Sequence, residues 1–265
     1  MSEIVLYKLE NLVEGEVIKR PSQHIKSPYV ADVVIKYKNA QDQEIEEDVL
    51  AHSISLGCCG MVDKGAKVMV KESNSNAGKC SHVVYLSVKE NNVIVGIHSK
   101  VSEKIVEEAL SRGILTKLQN IQSYKKEHAI YIKDLVDSRF DFTGIDKDGN
   151  QFIMEVKNVP LAENGVAYFP DGYRKSKKDP VSPRALKHIN ELILLKSMPN
   201  IRSIMCYVIQ RDDVDSFKPS DVDVFYKDAF KRAVEAGVEI ITLVVKWNSN
   251  GVATYVRDDL PILMD

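Results

Sequence analysis

The sequence has no run of about 18 apolar residues, so no membrane-spanning helix is expected. It is poor in cysteine, with four residues, two of them adjacent at Cys58 and Cys59. That is no disulfide framework, and a reducing intracellular compartment, cytoplasm or nucleus, is the simple reading. The spacing of Cys58, Cys59, Cys80 and His82 fits no usual zinc pattern, and buried thiols are expected instead. Neither sign of charge is in excess: Lys and Arg total 36 against 38 Asp and Glu, a formal net charge of -2. This balance argues against a polybasic, histone-like protein, while a local basic stripe would still serve a phosphate backbone. Internal repeats and low-complexity tracts are missing. The first residues, Met1-Ser2-Glu3-Ile4-Val5-Leu6, lack a basic start and a long apolar stretch, so a folded strand is expected there and not a signal peptide.

What is present is an ordinary globular composition, 44% hydrophobic and 28% charged over 265 residues. That length suits one large domain or two ordinary ones, with a core that needs no staple. Residues 1–90 carry short alternating runs, such as Val30-Ala31-Asp32-Val33-Val34-Ile35 and Lys67-Val68-Met69-Val70. Turn sequences separate them, as at Asp63-Lys64-Gly65. The pattern predicts a small β-barrel or sandwich, with an oligonucleotide-binding (OB-like) barrel as one candidate. From residue 91 the pattern changes. Val101, Ile105, Val106 and Ala109 recur at helical spacing, and Gly113 offers a stop. Strands are predicted at 129–133, 139–145, 151–157, 201–210 and 238–247. Helices are predicted at 183–197, opened by Ser182 and Pro183, and at 221–236, ended by Gly237. The chain therefore divides into domains 1–90 and 91–265, the second a mixed α/β domain.

The densest chemistry lies in a predicted hairpin. Asp146-Lys147-Asp148-Gly149-Asn150 is a turn sequence. A turn centred on Asp148 sets residue 145 against 151 and Asp141 against Glu155. Alternation then places Phe140, Phe142, Phe152, Met154 and Val156 on one buried face and Arg139, Asp141, Glu155 and Lys157 on the other. Opposed residues have Cβ atoms about 4.5–5.5 Å apart. Two carboxylates so placed repel unless a proton or cation sits between them. Mg²⁺ or Mn²⁺ would suit, since a hard divalent ion takes oxygen ligands and makes a bound water more acidic. Lys157 points to the same side and would hold that water or offset developing charge. The alternative is a solvated strand face, and a one-residue slip of register would part the acids.

These residues resemble the core of the PD-(D/E)xK nuclease superfamily, an acid on one strand and Glu-x-Lys on the next. The flanks are more specific. Arg139-Phe140-Asp141-Phe142, Glu155-Val156-Lys157-Asn158-Val159, Leu161-Ala162-Glu163-Asn164, Tyr168-Phe169-Pro170-Asp171, and Lys187-His188 with Glu191-Leu192 follow in order. That succession is similar to the sugar fermentation stimulation protein A family, closely over 139–192 and more loosely elsewhere. The resemblance implies an OB-like barrel followed by a restriction-endonuclease-like α/β domain with a mixed sheet. It also implies DNA binding and a regulatory role in sugar use. Here the family's His-x-x-Asn-Thr-Gly segment reads His52-Ser53-Ile54-Ser55-Leu56-Gly57, and the segment 172–181 is longer than the family loop.

By position, Glu127 resembles the extra acid that such nucleases supply upstream, and it would complete the metal shell. It also reads as a surface acid beside Lys125 and Lys126. Asp171 either orients the site or belongs to an ordinary Pro-Asp-Gly turn. Arg184, Lys187, His188 and Glu191 share one helix face. With Arg139, Arg174, Lys175, Lys177 and Lys178 they form the basic region expected to contact phosphates. Tyr29, Tyr37 and Tyr85 are available for base stacking on the barrel. The reading is a DNA-binding protein with a metal-dependent nuclease site at Asp141, Glu155, Lys157 and Glu127. Its alternatives are a non-catalytic DNA-binding regulator of sugar metabolism on a vestigial nuclease fold, and a structural protein whose acidic hairpin is only surface.

Overall fold

The computed structural model describes residues 3–55, 58–74, 78–170 and 179–264. They form two compact units. The first takes the residues up to Val101 with Gln210–Asp213 and Val245–Tyr255. The second takes Ser102–Ile209, Val214–Val244 and the residues from Val256 on.

In the first unit the alternating runs become strands β1 (Val5–Lys8), β2 (Leu12–Lys19), β3 (Val30–Lys38), β4 (Glu44–His52), β5 (Lys67–Glu72), β6 (His82–Val88) and β7 (Ile94–Gly96). The order β4-β3-β2-β5-β6-β7 closes on itself through a parallel β4–β6 pairing at Ala51–His82 and His52–Val83. This is a small closed β-barrel of six strands, the class of structure expected of the N-terminal region. Inward-facing Val17, Val33, Ile35, Val49, Val68, Val70 and Val84 fill it. Gly15 lets β2 approach β3, since a Cβ there would lie 2.7 Å from Val33 Cγ1 and 2.9 Å from the Val34 carbonyl.

The chain continues through α1 (Ser99–Ser111), β8 (Ser123–Ile132), β9 (Val136–Ile145), β10 (Gln151–Asn158), β11 (Ala162–Glu163), β12 (Val166–Phe169), α2 (Pro183–Lys196), β13 (Ile201–Ile209), β14 (Ser216–Pro219), α3 (Val224–Glu235), β15 (Glu239–Trp247) and β16 (Val252–Arg257). The N-terminal strand β1 stands outside the barrel and pairs antiparallel with β16. In the second unit the strand order is β15-β13-β10-β9-β8. The pairs β15–β13 and β13–β10 are parallel, and β10–β9 and β9–β8 are antiparallel, a mixed sheet.

Helix α2 starts at Pro183 as predicted, although the Ser182 side chain makes no capping bond. The start rests on proline, whose fixed φ suits the first helical position. Helix α3 is capped by Asp223, whose side chain accepts the Tyr226 N–H at 3.1 Å. Ala185, Ile189, Leu192 and Leu195 of α2 join Phe140, Ile153, Tyr207, Phe217 and Phe230 in one buried cluster. Truncating Ile189 or Leu192 to alanine there would cost about 2–5 kcal/mol.

That cluster corrects the two-faced picture of the hairpin. Phe140, Phe142, Phe152, Met154 and Val156 are buried as expected, but Phe140 joins Ile153 in the α2 cluster and does not share the face of the other four, and Ile153 and Glu155 are buried too. Ile153 packs with α2, so the face that carries Glu155 is covered by a helix and not solvated. A strand flanked on both faces reads as a continuous apolar run, as in Phe152-Ile153-Met154.

Candidate metal and nucleic-acid site

The hairpin turn is built from its own sequence. Asp146 Oδ1 accepts the N–H groups of Asp148 at 2.9 Å and Asn150 at 2.8 Å. Gly149 sits at φ +82°, a conformation that glycine adopts at no steric cost. Arg202 Nη1 reaches Asp146 Oδ2 at 3.0 Å and Glu239 through Nη2 at 2.7 Å. Burial favours the neutral acid at Asp146, but the Arg202 and Asn150 bonds outweigh it and hold its pKa below the ordinary carboxylate value. Gly144 completes the hairpin's fit, because a Cβ there would meet the Ser123 carbonyl at 2.1 Å.

This turn fixes the register. Gln151 faces Ile145 and the ladder runs to Met154 opposite Phe142. The ladder ends there; the same register continued by one step would set Glu155 opposite Asp141. Here backbone pairing gives way: the Val156 N–H donates to Asp141 Oδ2 at 2.7 Å. On the other side of β9, Lys126 faces Phe142 and His128 faces Phe140, which brackets Glu127 opposite Asp141. Glu127, Asp141 and Glu155 thus occupy one level across β8, β9 and β10. Their side chains diverge. The Glu127 backbone is left-handed, at φ +49°, and its exposed carboxylate lies 3.7 Å from the exposed guanidinium of Arg139.

Glu155 is 2% exposed. Its Oε1 accepts from Lys157 Nζ and from His188 Nδ1 of α2. Its Oε2 is buried, with no hydrogen-bond partner among the described residues. Burial alone would raise the Glu155 pKa, but the Lys157 charge and the His188 bond outweigh it and hold it below the ordinary value. Asp141 goes the other way: burial first, then the Glu155 charge, push it up to about 7, against the Val156 N–H and Lys157. Glu103 of α1 adds to that rise. Sequence reasoning did not single out Glu103. Its signal was a carboxylate four residues before the apolar Glu107-flanked turn of an amphipathic helix, too common a pattern to stand out.

The donor set fits a hard divalent cation. It offers two buried carboxylates, one held at a high pKa by burial and by the other's charge, and one buried oxygen with no donor among the described residues. Asp141, Glu155 and either Glu103 or Glu127 are the residues that could hold such an ion. Among the described residues no three His, Cys, Asp or Glu close into a preformed metal cage, and the cysteines are free thiols.

The basic face of α2 is narrower than its sequence suggests. Arg184 and Lys187 are exposed, but His188 and Glu191 are buried. The reason is the helix's rotation: position 188 lies in the stripe Ala185–Ile189–Leu192 that packs on the sheet. Glu191 Oε1 accepts the Asp137 N–H at 2.9 Å, and Lys187 Nζ donates to the Asp137 carbonyl, so this end of α2 clasps the start of β9. His188 therefore faces Glu155 and not a phosphate. Asp171, Arg174, Lys175, Lys177 and Lys178 lie outside the described residues. On the barrel, Tyr29 and Tyr37 are exposed. Tyr29 stacks on His52 with ring centroids 6.1 Å apart, and Tyr85 stacks on His98 at 4.5 Å. Among the described residues no helix is long and apolar enough to cross a membrane.

Comparison with known proteins shows what the chain is similar to. The family model "Sugar fermentation stimulation protein RE domain" matches residues 100–251. A sugar fermentation stimulation protein homolog of Clostridium perfringens (strain 13 / Type A) is 32% identical over 197 residues, 74% of this chain and 79% of the relative. A homolog from Synechocystis sp. is 28% identical over 249 residues, 93% of this chain and 94% of the relative. Among solved structures, Pyrococcus furiosus SfsA in complex with Ca²⁺ matches with a TM-score of 0.74 and 20% identity, covering 98% of this chain and 99% of that one. At that identity the likeness speaks for the fold.

Proposed function

The chain belongs to the sugar fermentation stimulation protein family, and from that premise we propose that it binds DNA and hydrolyses its phosphodiester bonds at a metal site between Asp141 and Glu155. The observation that carries this reading is Glu155: a buried carboxylate whose Oε1 is doubly satisfied, whose Oε2 has no partner among the described residues, and whose charge acts on a second buried carboxylate, Asp141. Asp141 and Glu155 would hold a cation there, which would give the orphaned oxygen a partner and offset the Glu155 charge that adds to the rise at Asp141. Mg²⁺ or Mn²⁺, when bound, supplies Lewis-acid polarisation of a phosphoryl oxygen and a more acidic water.

The chain's own residues do the rest. Asp141 is held by the Val156 N–H and Glu155 by Lys157 and His188, so both acids are oriented before any ligand arrives. Lys157, 14% exposed, keeps its ammonium beside the acids, where it offsets negative charge developing on a phosphate. Glu103, whose charge reaches Asp141, or Glu127, if its side chain turned inward from Arg139, would add a further ligand. Arg139 and Arg184 are exposed cations on the same unit, suited to backbone phosphates, and Arg174, Lys175, Lys177 and Lys178 extend that basic set in sequence. The barrel grips a strand through Tyr29 and Tyr37 by base stacking.

The test is cleavage of single-stranded and duplex DNA and RNA by the purified chain with Mg²⁺ or Mn²⁺ and with chelator, beside Asp141→Ala and Lys157→Ala. Metal-dependent cleavage lost in both variants supports the reading. Salt-sensitive binding without cleavage supports the non-catalytic regulator instead.

A further inference from the structure

We infer that His188 is a positioning residue that commits Glu155 Oε2 to the metal ion. This deepens the metal-site reading and rests on it. A carboxylate presents two equivalent oxygens, and in a flexible site either would serve as ligand. Here they are made different. Oε1 takes both Lys157 Nζ and His188 Nδ1, while Oε2 is buried and takes no hydrogen bond from the described residues. Lys157 comes from Glu155's own strand, two residues on. On its own it would leave the carboxylate free to rotate with the lysine's flexible stem.

His188 comes from a different element. Its ring is 3% exposed and lies against Phe140, with centroids 5.8 Å apart. Its helix is anchored on both sides of it by buried Ala185, Ile189 and Leu192. Its position is therefore set by core packing. An imidazole facing a carboxylate presents Nδ1 as the donor. The helix so transmits a fixed position to Oε1 and leaves Oε2 as the oxygen with an open coordination site. Outer partners of this kind hold a ligand's orientation and usually govern affinity. The histidine touches neither substrate nor reacting water, because the carboxylate it holds stands between.

The test is Mn²⁺ binding to the full chain, measured by calorimetry and by the electron paramagnetic resonance of free Mn²⁺, with no substrate present. His188→Leu keeps the volume and removes the donor. His188→Asn keeps a donor close to the Nδ1 position, and His188→Gln moves it one methylene outward. The expected result is Mn²⁺ affinity about 10–100-fold weaker in the Leu and Gln variants and within about threefold of wild type in His188→Asn. Should His188→Leu fail to fold, the Asn–Gln comparison decides alone. Equal affinity across wild type, Asn and Gln overturns the inference, as does a loss in Asn as large as that in Gln. If Asp141→Ala abolishes Mn²⁺ binding while the His188 variants bind as wild type, the metal site stands and only the positioning role falls. If wild type binds no Mn²⁺, the metal reading and this inference fall together.

Discussion

Val156 donates its backbone N–H to Asp141 Oδ2 at 2.7 Å, so a side chain of β9 fills a ladder position that the β9 backbone leaves open. The bond ties the acid to the strand that carries Glu155 and Lys157. It holds Asp141 in place even though burial and the Glu155 charge disfavour its ionised form.

That conflict predicts a pH dependence of stability in chelator. The Asp141 pKa is raised from 3.8 to about 7 in the folded chain. Between those values the folded state keeps a proton that the unfolded state has released, so stability falls as pH rises, and the penalty is complete above about pH 7. The rise corresponds to roughly 4 kcal/mol as an upper figure. Asp141→Asn, which retains an acceptor for Val156, should be more stable than wild type at pH 8 and close to it at pH 4. Urea midpoints at the two pH values check this. A difference that is the same at both would contradict the assigned cause.

The third acid can be separated by charge alone. Glu103 raises Asp141, while the exposed Glu127 carboxylate is engaged by Arg139. Glu103→Gln is expected to weaken Mn²⁺ binding by about tenfold, one charge-assisted ligand contact's worth. Glu127→Gln should stay within about twofold. The reverse order in a Mn²⁺ titration would place Glu127 in the shell, as its level on β8 suggests.

Lys157→Met separates holding the metal from using it. The lysine contributes no ligand, so Mn²⁺ affinity should change less than about tenfold, while cleavage falls by at least about 100-fold, the usual effect of removing a charge-stabilising group. Single-turnover cleavage at saturating Mn²⁺ measures it. Cleavage within a few-fold of wild type would remove Lys157 from the chemistry.

Arg184 and Lys187 are expected to differ although both are exposed on α2. Lys187 is already engaged by the Asp137 carbonyl and lies 3.5 Å from Glu191. Arg184→Ala should lower the slope of log affinity against log salt by about 1 on DNA, and Lys187→Ala by less. Fluorescence anisotropy at several salt concentrations reads the slopes. A larger loss at Lys187 would show that the α2 clasp opens on binding.

The hairpin was legible because its turn is local: Asp146, Gly149 and Asn150 set a register that holds from Gln151 opposite Ile145 to Met154 opposite Phe142, one step short of Asp141 and Glu155. The helices at 183–197 and 221–236 were legible from Pro183 and Gly237, and they form as Pro183–Lys196 and Val224–Glu235. The burial of His188 was not legible, because its charge type suggested an outward face. Its spacing from Ala185, Ile189 and Leu192 held the contrary signal, and core packing decided the matter. The burial of Glu155 was hidden similarly, since covering that face takes a helix some thirty residues on. Strands β11, β12 and β14, of two to four residues each, carry too little alternation to be read from sequence.

The most direct measurement is the position of Mn²⁺ by anomalous diffraction in crystals of the chain soaked with the ion, wild type beside Asp141→Ala. The account predicts a peak bridging the Asp141 carboxylate and Glu155 Oε2, with Oε1 still on His188, at oxygen distances of about 2.0–2.3 Å, and no peak in the variant. A peak elsewhere on the chain, or one in which Glu155 binds through Oε1 with His188 displaced, would contradict it.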